Sequence, residues 1–215
     1  ALCFVASPSV LGVLPLGTGN SFARDLGLPA QPEQAAAALV AGEVGEVDLG
    51  YAGNDYFVNI ATVGLTAHIA EELQDEQKRR FGRAVYAFAL IRGLAKVKPM
   101  RARLMAGSET HEFETLQVVI GNGRFHAGPF PLHPDAGIDE GLLHVYAIQG
   151  KSRSTFLRLA MRLPFGTHVD LPDVLAWSLE SGRLETDPNA PLVVDGERGL
   201  FTPIQFRVEP KAIRV

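Results

Sequence analysis

Two hydrophobic periods alternate along the chain, and the change between them falls near residue 44. Before that point, the apolar run Val10–Leu14 is short enough to form a buried parallel strand. Helical patterns follow over Phe22–Leu26 and Pro32–Val40, and the second of these stops at Gly42. We therefore predict one strand and two helices in the first 44 residues.

From residue 45 onward the pattern changes to the two-residue period of β-strands. Glu46–Ala52 and Tyr56–Ala61 flank a polar Gly-Asn-Asp turn of the hairpin type. Helical patterns return over Thr66–Gln74 and Arg83–Val97. We place a domain boundary near residue 44, which divides the chain into residues 1–44 and 45–215.

Short apolar strands with glycine-rich turns dominate the rest of the chain, and one helical pattern, Ser152–Leu163, interrupts them. Such a series indicates a β-sandwich or a bent antiparallel sheet, and with the helices it predicts an α+β fold. The predicted strands are Arg101–Ala106, Glu114–Gly121, Leu142–Ala147, Val174–Leu179, Leu184–Thr186, Leu192–Val194, Pro203–Val208 and Ala212–Val215.

Composition narrows the functional classes. The formal charge of −4 argues against a nucleic-acid binder, because affinity for a phosphate backbone depends on accumulated Lys and Arg. Cys3 is the only cysteine, so a disulfide framework is excluded and a reducing compartment is expected. No apolar run reaches the ~20 residues that span a bilayer, and the first residues carry no basic leader. We expect a cytoplasmic protein.

The basic residues are unevenly distributed. Between Lys78 and Arg103 the chain has nine Lys or Arg residues and no Asp or Glu. One interpretation is a solvated helix surface, which is common in proteins of this size. The other is a patch that attracts anionic lipid head groups.

The turn between the first predicted strand and helix contains Gly17 and Gly19, followed by Asn20 and Ser21. Asn or Ser caps helices, and the free N–H groups and positive dipole end of a capped helix would point at this turn. A phosphate fits there without a basic side chain. The turn matches neither the dinucleotide fingerprint nor the P-loop, so an ordinary strand-to-helix turn is the alternative.

Two carboxylates, Asp195 and Glu197, flank Gly196 just beyond the apolar strand Leu192–Val194. If the strand continued, alternation would place both on one side, within reach of one site. One could then accept a hydroxyl proton while the other held a phosphoryl donor or a metal. The alternative is a plain hairpin turn, for which Asp-Gly is the strongest signal.

Four stretches in the same order resemble the diacylglycerol kinase catalytic family, which includes bacterial lipid kinases and sphingosine kinases. Pro15–Arg24 is similar to the family's Pro-x-Gly-Thr-Gly-Asn-Asp-Phe-Ala-Arg segment. The others are Val47-Asp48-Leu49-Gly50, Tyr56-Phe57-Val58-Asn59 running to Gly64, and Val194-Asp195-Gly196-Glu197. The resemblance therefore covers nearly the whole chain.

The resemblance also implies a division of the chain. The family's Gly-Gly-Asp-Gly-Thr nucleotide loop occurs nowhere in it, so we expect an N-terminally incomplete chain. Residues 1–44 would then be the last strand and helices of an α/β nucleotide-binding lobe. Residues 45–215 would be the strand-rich, β-sandwich-like C-terminal domain of a lipid kinase.

Site residues follow from the same resemblance. It implies an ATP-dependent lipid kinase whose proton acceptor is Glu197, and Asp195 is the second candidate for that role. Asp48 matches an aspartate of a water-mediated Mg²⁺ network, although an exposed strand-edge aspartate is an equal alternative. Ser21 stands where the family has another aspartate of that network. The residues implied to meet the nucleotide are Gly17, Thr18, Gly19 and Asn20.

A second Mg²⁺ site is implied by the segment Pro134–Leu142, which resembles the family's Pro-x-Ala-x-x-Asp-Asp-Gly-Leu loop. The matching ligands are the carboxylate of Glu140 and the main-chain carbonyls of Gly137 and Leu142. Glu140 replaces the usual Asp, and its longer side chain places the ion in doubt. A glycine turn without a metal is the alternative.

Other polar residues receive simpler interpretations. The six histidines show no tight metal spacing, so we expect surface positions or satisfied core positions for them. Asn122 lies between two glycines after a strand and resembles a family position, and we expect it to line the cleft.

The expected partners are ATP and a lipid acceptor at the membrane surface, with no nucleic acid; a homodimer is left open. Peripheral membrane association follows if the substrate is a lipid. Two rivals remain. A non-catalytic lipid-binding or regulatory protein of the same fold is favoured by Ser21 and the absent loop. A soluble-substrate kinase such as NAD kinase is disfavoured, because the Asp-Gly-Glu and Tyr-Phe-Val-Asn stretches match the lipid branch better.

Overall fold

The computed structural model describes residues 4, 5, 7–17, 19–65, 98–126, 130–133, 136–149 and 153–215. The predicted helices Thr66–Gln74 and Arg83–Val97 therefore lie outside the described residues, as do Thr18 and most of the basic segment between Lys78 and Arg103.

Three described helices accompany the strands. Helix α1 covers Ser21–Asp25, α2 covers Pro32–Ala41 and α3 covers Arg153–Arg162. Helix α2 has Pro32 in its first turn, where the missing N–H costs nothing, and it ends at Gly42 as the pattern predicts. None of the described helices is long and apolar enough to cross a membrane.

The strands form two six-stranded sheets, which pair antiparallel throughout the described residues, and a small hairpin. Sheet A has the order β2-β1-β14-β11-β4-β5, and sheet B has the order β10-β9-β6-β3-β12-β13. The strands are β1 Glu46–Ala52, β2 Asp55–Phe57, β3 Ile60–Gly64, β4 Met100–Ala106, β5 Glu109–Thr115, β6 Gln117–Gly121, β7 Phe125–His126, β8 Phe130–Pro131, β9 Leu143–Ile148, β10 Val174–Leu179, β11 Ser181–Asp187, β12 Pro191–Val194, β13 Glu197–Phe201 and β14 Ile204–Arg214.

The main core lies between the two sheets. It joins Phe57, Leu184 and Phe206 of sheet A to Ile120 and Leu192 of sheet B, all of them fully buried or nearly so. Because side chains alternate across a strand, the remaining side chains of these strands form the outer faces of the two sheets. The two-residue hydrophobic period therefore produces the sandwich that the sequence predicts.

A second cluster covers the outer face of sheet B. Val119 of β6 and Tyr146 of β9 pack there with Leu171, with Ile60, and with Leu159 of α3. A third cluster joins Leu49 and Ile213 of sheet A to the N-terminal segment through Leu11 and Phe22. The N-terminal segment is thereby held against the sandwich by apolar contacts.

The predicted strand Val10–Leu14 is not formed. Only Val10 makes a parallel bridge, to Arg214, and Val10 and Leu14 are 44% and 46% exposed. A buried parallel strand needs neighbours along its whole length, and the edge of β14 offers it only this bridge and the Leu11 N–H bond to the Arg214 carbonyl.

Two predicted strands are divided in the structure. Tyr56–Ala61 is split after Phe57, so that β2 lies in sheet A and β3 in sheet B. Glu114–Gly121 is split at Leu116, where the Thr115 hydroxyl bonds the carbonyls of Gln117 and Ile148. In both places a polar side chain takes over backbone groups that a continuous strand would pair, which ends the strand.

Candidate functional site

The two carboxylates that the sequence singles out lie at a hairpin turn between β12 and β13. Val194 pairs with Glu197, and the two turn residues Asp195 and Gly196 have positive φ angles of 47° and 92°. This is the conformation of a type I′ turn, which requires positive φ at both positions. The strand does not continue through the turn, so the premise that alternation aligns the two carboxylates is wrong.

Asp195 uses its carboxylate to bind the backbone at the point where the chain passes from sheet A to sheet B. One oxygen accepts the N–H of Val58 at 2.7 Å, and the other accepts those of Asn59 and Ile60, both at 3.0 Å. The Asp195 N–H in turn donates to the Ile60 carbonyl at 2.9 Å. This arrangement explains the split of the predicted strand Tyr56–Ala61, because the N–H groups of residues 58–60 are taken by Asp195.

Glu197 has a different environment from Asp195. Its side chain is exposed at the first position of β13, and among the described residues its carboxylate has no hydrogen-bond partner. Nearby, the side-chain oxygen of Asn59 is buried and also lacks a partner in the described part of the chain. The turn therefore presents one carboxylate that is engaged and one that is available for chemistry.

The glycine turn before α1 is braced by its own asparagine. Asn20 occupies the N-cap position in a left-handed conformation, with φ 52°, and makes no side-chain bond to the helix. Its Oδ1 instead accepts the Gly17 N–H at 2.8 Å, and its Nδ2 donates to the Pro15 carbonyl at 3.1 Å. The expectation that the Asn20 side chain caps the helix is wrong, and the Gly17 N–H is already used.

Asp48 is buried rather than exposed at a strand edge. Only 2% of it is accessible, and its two carboxylate oxygens accept the N–H groups of Gly141 at 2.6 Å and Lys211 at 2.8 Å. Asn122 does not line a cleft either: it is 1% exposed, and its Nδ2 donates to the carbonyls of Asp48 and Val58. Asp48 thus joins β1 to β14 and to the segment at Gly141, and Asn122 joins the end of β6 to β1 and to Val58.

The loop that was matched to a metal site is also held by side chains. Glu140 Oε2 lies 3.3 Å from His144 Nε2, and His144 Nδ1 lies 3.0 Å from the Ser178 hydroxyl. A Cβ at Gly137 would lie 3.0 Å from Glu140 Oε1, so this glycine allows the carboxylate to approach. The carbonyls of Gly137 and Leu142 belong to the same turn.

The described residues offer no ready ligand set for Mg²⁺. The two oxygens of Asp48 are engaged by backbone N–H groups, and Glu140 faces a histidine. Across the described ranges no group of three or more His, Cys, Asp or Glu residues is arranged to hold a metal ion.

Sequence reasoning missed Asp25, the last residue of α1. Its Oδ1 accepts the N–H groups of Arg124 at 2.8 Å and Phe125 at 3.2 Å, while its Oδ2 is buried without a partner in the described structure. Burial raises the pKa of Asp25 to about 6. Its position directly after the matched segment Pro15–Arg24 was the available signal.

Surface positions or satisfied core positions were expected for the histidines, and His168 has neither. It is fully buried beside Tyr146 and His126, and neither ring nitrogen has a partner among the described residues. Burial, with the nearby His133, lowers the pKa of His168 to about 4. The ring is therefore neutral near pH 7.

Comparison with known proteins places these features in a family. Residues 1–52 match the diacylglycerol kinase catalytic domain, and residues 59–215 match the YegS C-terminal NAD kinase beta sandwich-like domain. A solved structure titled a diacylglycerol kinase, from Bacillus anthracis, superposes with a TM-score of 0.70 at 21% identity, over 95% of this chain and 65% of that one. At that identity the likeness shows the fold alone.

Two curated relatives are closer in sequence. "Diacylglycerol kinase" of Mycobacterium tuberculosis is 29% identical over 212 residues, covering 95% of this chain and 68% of its own length. "Probable lipid kinase YegS-like" of Pseudomonas aeruginosa is 33% identical over 208 residues, covering 95% and 67%. Since the sandwich match alone covers more than half of the chain, and the Pseudomonas relative exceeds 30% identity, this chain belongs to the diacylglycerol kinase family of lipid kinases.

Proposed function

We propose that the chain serves an ATP-dependent lipid kinase in which Glu197 accepts the proton of the lipid hydroxyl. The observation that carries the proposal is the contrast between two neighbouring carboxylates. Both carboxylate oxygens of Asp195 accept hydrogen bonds from the backbone N–H groups of residues 58–60, whereas Glu197 is exposed and lacks a partner within the described chain. A general base needs an available lone pair, so Glu197 suits that role and Asp195 suits a positioning role.

The proposed reaction is phosphoryl transfer to an alcohol. As Glu197 takes the hydroxyl proton, the lipid oxygen bonds to the γ-phosphorus of ATP, the bond to the bridging oxygen breaks, and ADP leaves. Such reactions depend mainly on positioning, which a short turn fixed by three hydrogen bonds provides.

The nucleotide would lie on the N-terminal side of the sandwich. We propose Gly17, Thr18, Gly19 and Asn20 as the turn that meets its phosphates, as the family resemblance implies. Because Asn20 already binds the Gly17 N–H, a phosphate would have to meet other groups of this turn.

The test compares two isosteric substitutions, Glu197→Gln and Asp195→Asn. Both are made in a form of the protein that is as long as its relatives. Glu197→Gln should lower kcat by ~10²–10⁴-fold with little change in KM for ATP or lipid, because it removes the base and keeps the size. If Glu197→Gln keeps near-normal turnover while a folded Asp195→Asn variant is inactive, the base is Asp195. If both variants are fully active, the turn has no catalytic role and the proposal fails.

A second candidate is a lipid-binding protein of the same fold without kinase chemistry. Ser21 replaces a family carboxylate, and the carboxylates of Asp48 and Glu140 are both engaged. These observations favour a site in which metal-dependent steps are weakened. Lipid binding without phosphate transfer in the full-length form would support this alternative.

A further inference from the structure

Helix α3 packs on the outer face of sheet B through Leu159, and the 3-10 turn Leu163–Phe165 follows it. The inward side of the helix is well packed. Thr155 is 2% exposed and its hydroxyl bonds Asp173, and Leu159, one turn later, joins the cluster around Tyr146. Residues four apart share a helix face, so this side anchors the helix to the sheet.

The outward side of the same helix exposes large apolar side chains. Met161 is 58% exposed, and Phe165, four residues later at the end of the helical segment, is 74% exposed. Arg162 between them is exposed as well. We call Met161, Arg162 and Phe165 the Phe165 surface. Together they place an aromatic ring, a thioether and a guanidinium in solvent at the C-terminal end of the helix.

The charge of this segment is opposite to that of the whole chain. Lys151, Arg153, Arg158 and Arg162 are basic, and no Asp or Glu occurs between Leu142 and Val169. The nearest acids along the chain are Asp170 and Asp173, and Asp173 pairs with Arg158. This stretch of the sequence therefore carries net positive charge in a protein whose formal charge is −4.

We propose that the Phe165 surface is a contact with anionic bilayers, in which Phe165 and Met161 enter the head-group boundary and Arg162 meets lipid phosphates. A basic helix with bulky apolar residues on its exposed side is the pattern of interfacial membrane binding. Phe and Met gain free energy when they leave water, and nearby Lys and Arg add electrostatic attraction. The proposal rests on the lipid kinase function proposed above.

The position of the surface suits a lipid acceptor. Ile60 joins the two regions: its N–H is held by Asp195, and its side chain packs in the same cluster as Leu159 of α3. The anchor of the helix and the turn that carries Glu197 are therefore linked through one residue of sheet B. A bilayer bound at the helix would share a rigid support with the proposed base.

A bilayer fits this surface better than a second copy of the chain. In a two-fold symmetric dimer the same patch meets itself, which would bring the Arg162 guanidinium groups of the two copies face to face. Like charges at such a contact oppose association. An anionic membrane instead complements both properties of the surface, its apolar tip and its positive charge.

The test measures cosedimentation of the 215-residue chain with phosphatidylcholine vesicles, with and without phosphatidylserine. Phe165→Ser and Met161→Gln should each weaken binding to the phosphatidylserine vesicles by about tenfold, because each removes an apolar side chain that the bilayer would bury. Phe165→Trp should retain binding. The matched control is Val40→Ser on α2, which removes an apolar side chain that is 90% exposed and should change nothing.

The outcomes separate this proposal from the proposed function. If wild type does not bind anionic vesicles, or if Val40→Ser weakens binding as much as Phe165→Ser, the Phe165 surface is not the contact. If Phe165→Ser changes the oligomeric state without lipid, the face binds another copy and the proposal is wrong. Vesicle binding that depends on Phe165, in a full-length form that transfers no phosphate, would uphold the surface and refute the kinase.

Discussion

Replacing Asp195 by Asn should destabilise the protein, whereas replacing Glu197 by Gln should not. Asn keeps the size of the side chain and tolerates the positive φ of 47° at this position, so the backbone of the turn is unchanged. The carboxamide has one acceptor oxygen where the carboxylate has two. Its NH₂ group would face the N–H of either Val58 or the Asn59 and Ile60 pair, which leaves donor against donor.

The size of the effect follows from the bonds that are lost. A hydrogen bond to a charged group contributes about 1.5–3 kcal/mol, and at least one of the three is abolished while the others become neutral. Asp195 is exposed, so solvent replaces part of the loss, and we expect a decrease of about 2 kcal/mol in the free energy of unfolding. For a chain of this size that corresponds to a decrease of about 4–8 °C in Tm.

The assay is urea and thermal unfolding of the 215-residue chain, followed by circular dichroism at pH 7, and it needs no catalytic activity. Glu197→Gln is the matched control, and as a substitution of an exposed side chain it should shift stability by less than about 0.5 kcal/mol. If Asp195→Asn unfolds at the same urea concentration as Glu197→Gln, the carboxylate does not hold the crossover. The assignment of different roles to the two residues would then lose its basis.

Two further predictions concern groups that titrate with opposite signs. Burial raises the pKa of Asp25 from 3.8 to about 6, so the fold favours the neutral acid. Stability should therefore fall by roughly 2 kcal/mol as the pH rises from 4 to 6, and Asp25→Asn should abolish this fall in urea midpoints. Burial lowers the pKa of His168 from 6.5 to about 4, so stability should instead fall as the pH drops through that range, and His168→Phe should remove that dependence. Because the two slopes oppose each other, wild type should change little between pH 4 and 6, and a variant that keeps the wild-type profile would contradict the corresponding assignment.

The fold class was predictable because the hydrophobic periods that indicate helices and strands depend only on neighbouring residues. Alternation over Glu46–Ala52 and Val174–Leu179 reproduces β1 and β10 residue for residue, and Pro32 with Gly42 brackets α2. The confirmed features are those for which neighbouring residues decide the backbone. The domain boundary near residue 44 stays a prediction.

The errors occur where distant residues decide the backbone. Nothing within Tyr56–Ala61 shows that its strand is interrupted, because the acceptor for its N–H groups is Asp195, 137 positions from Val58. By its residue type Asp48 resembles an exposed edge residue. The N–H groups of Gly141 and Lys211 nevertheless bind its carboxylate and allow it to be buried. Side chains that bind backbone far along the chain leave no periodic signal.

The bonds of Asp195 also fix when the site can form during synthesis. They join positions 135 to 137 residues apart, so at typical rates of translation Asp195 leaves the ribosome about ten seconds or more after Val58. Until then the crossover between the sheets lacks its acceptor, and β12 and β13 are not present to carry Glu197. Contacts of such long range form slowly. The proposed base is thus positioned only after synthesis has passed β13.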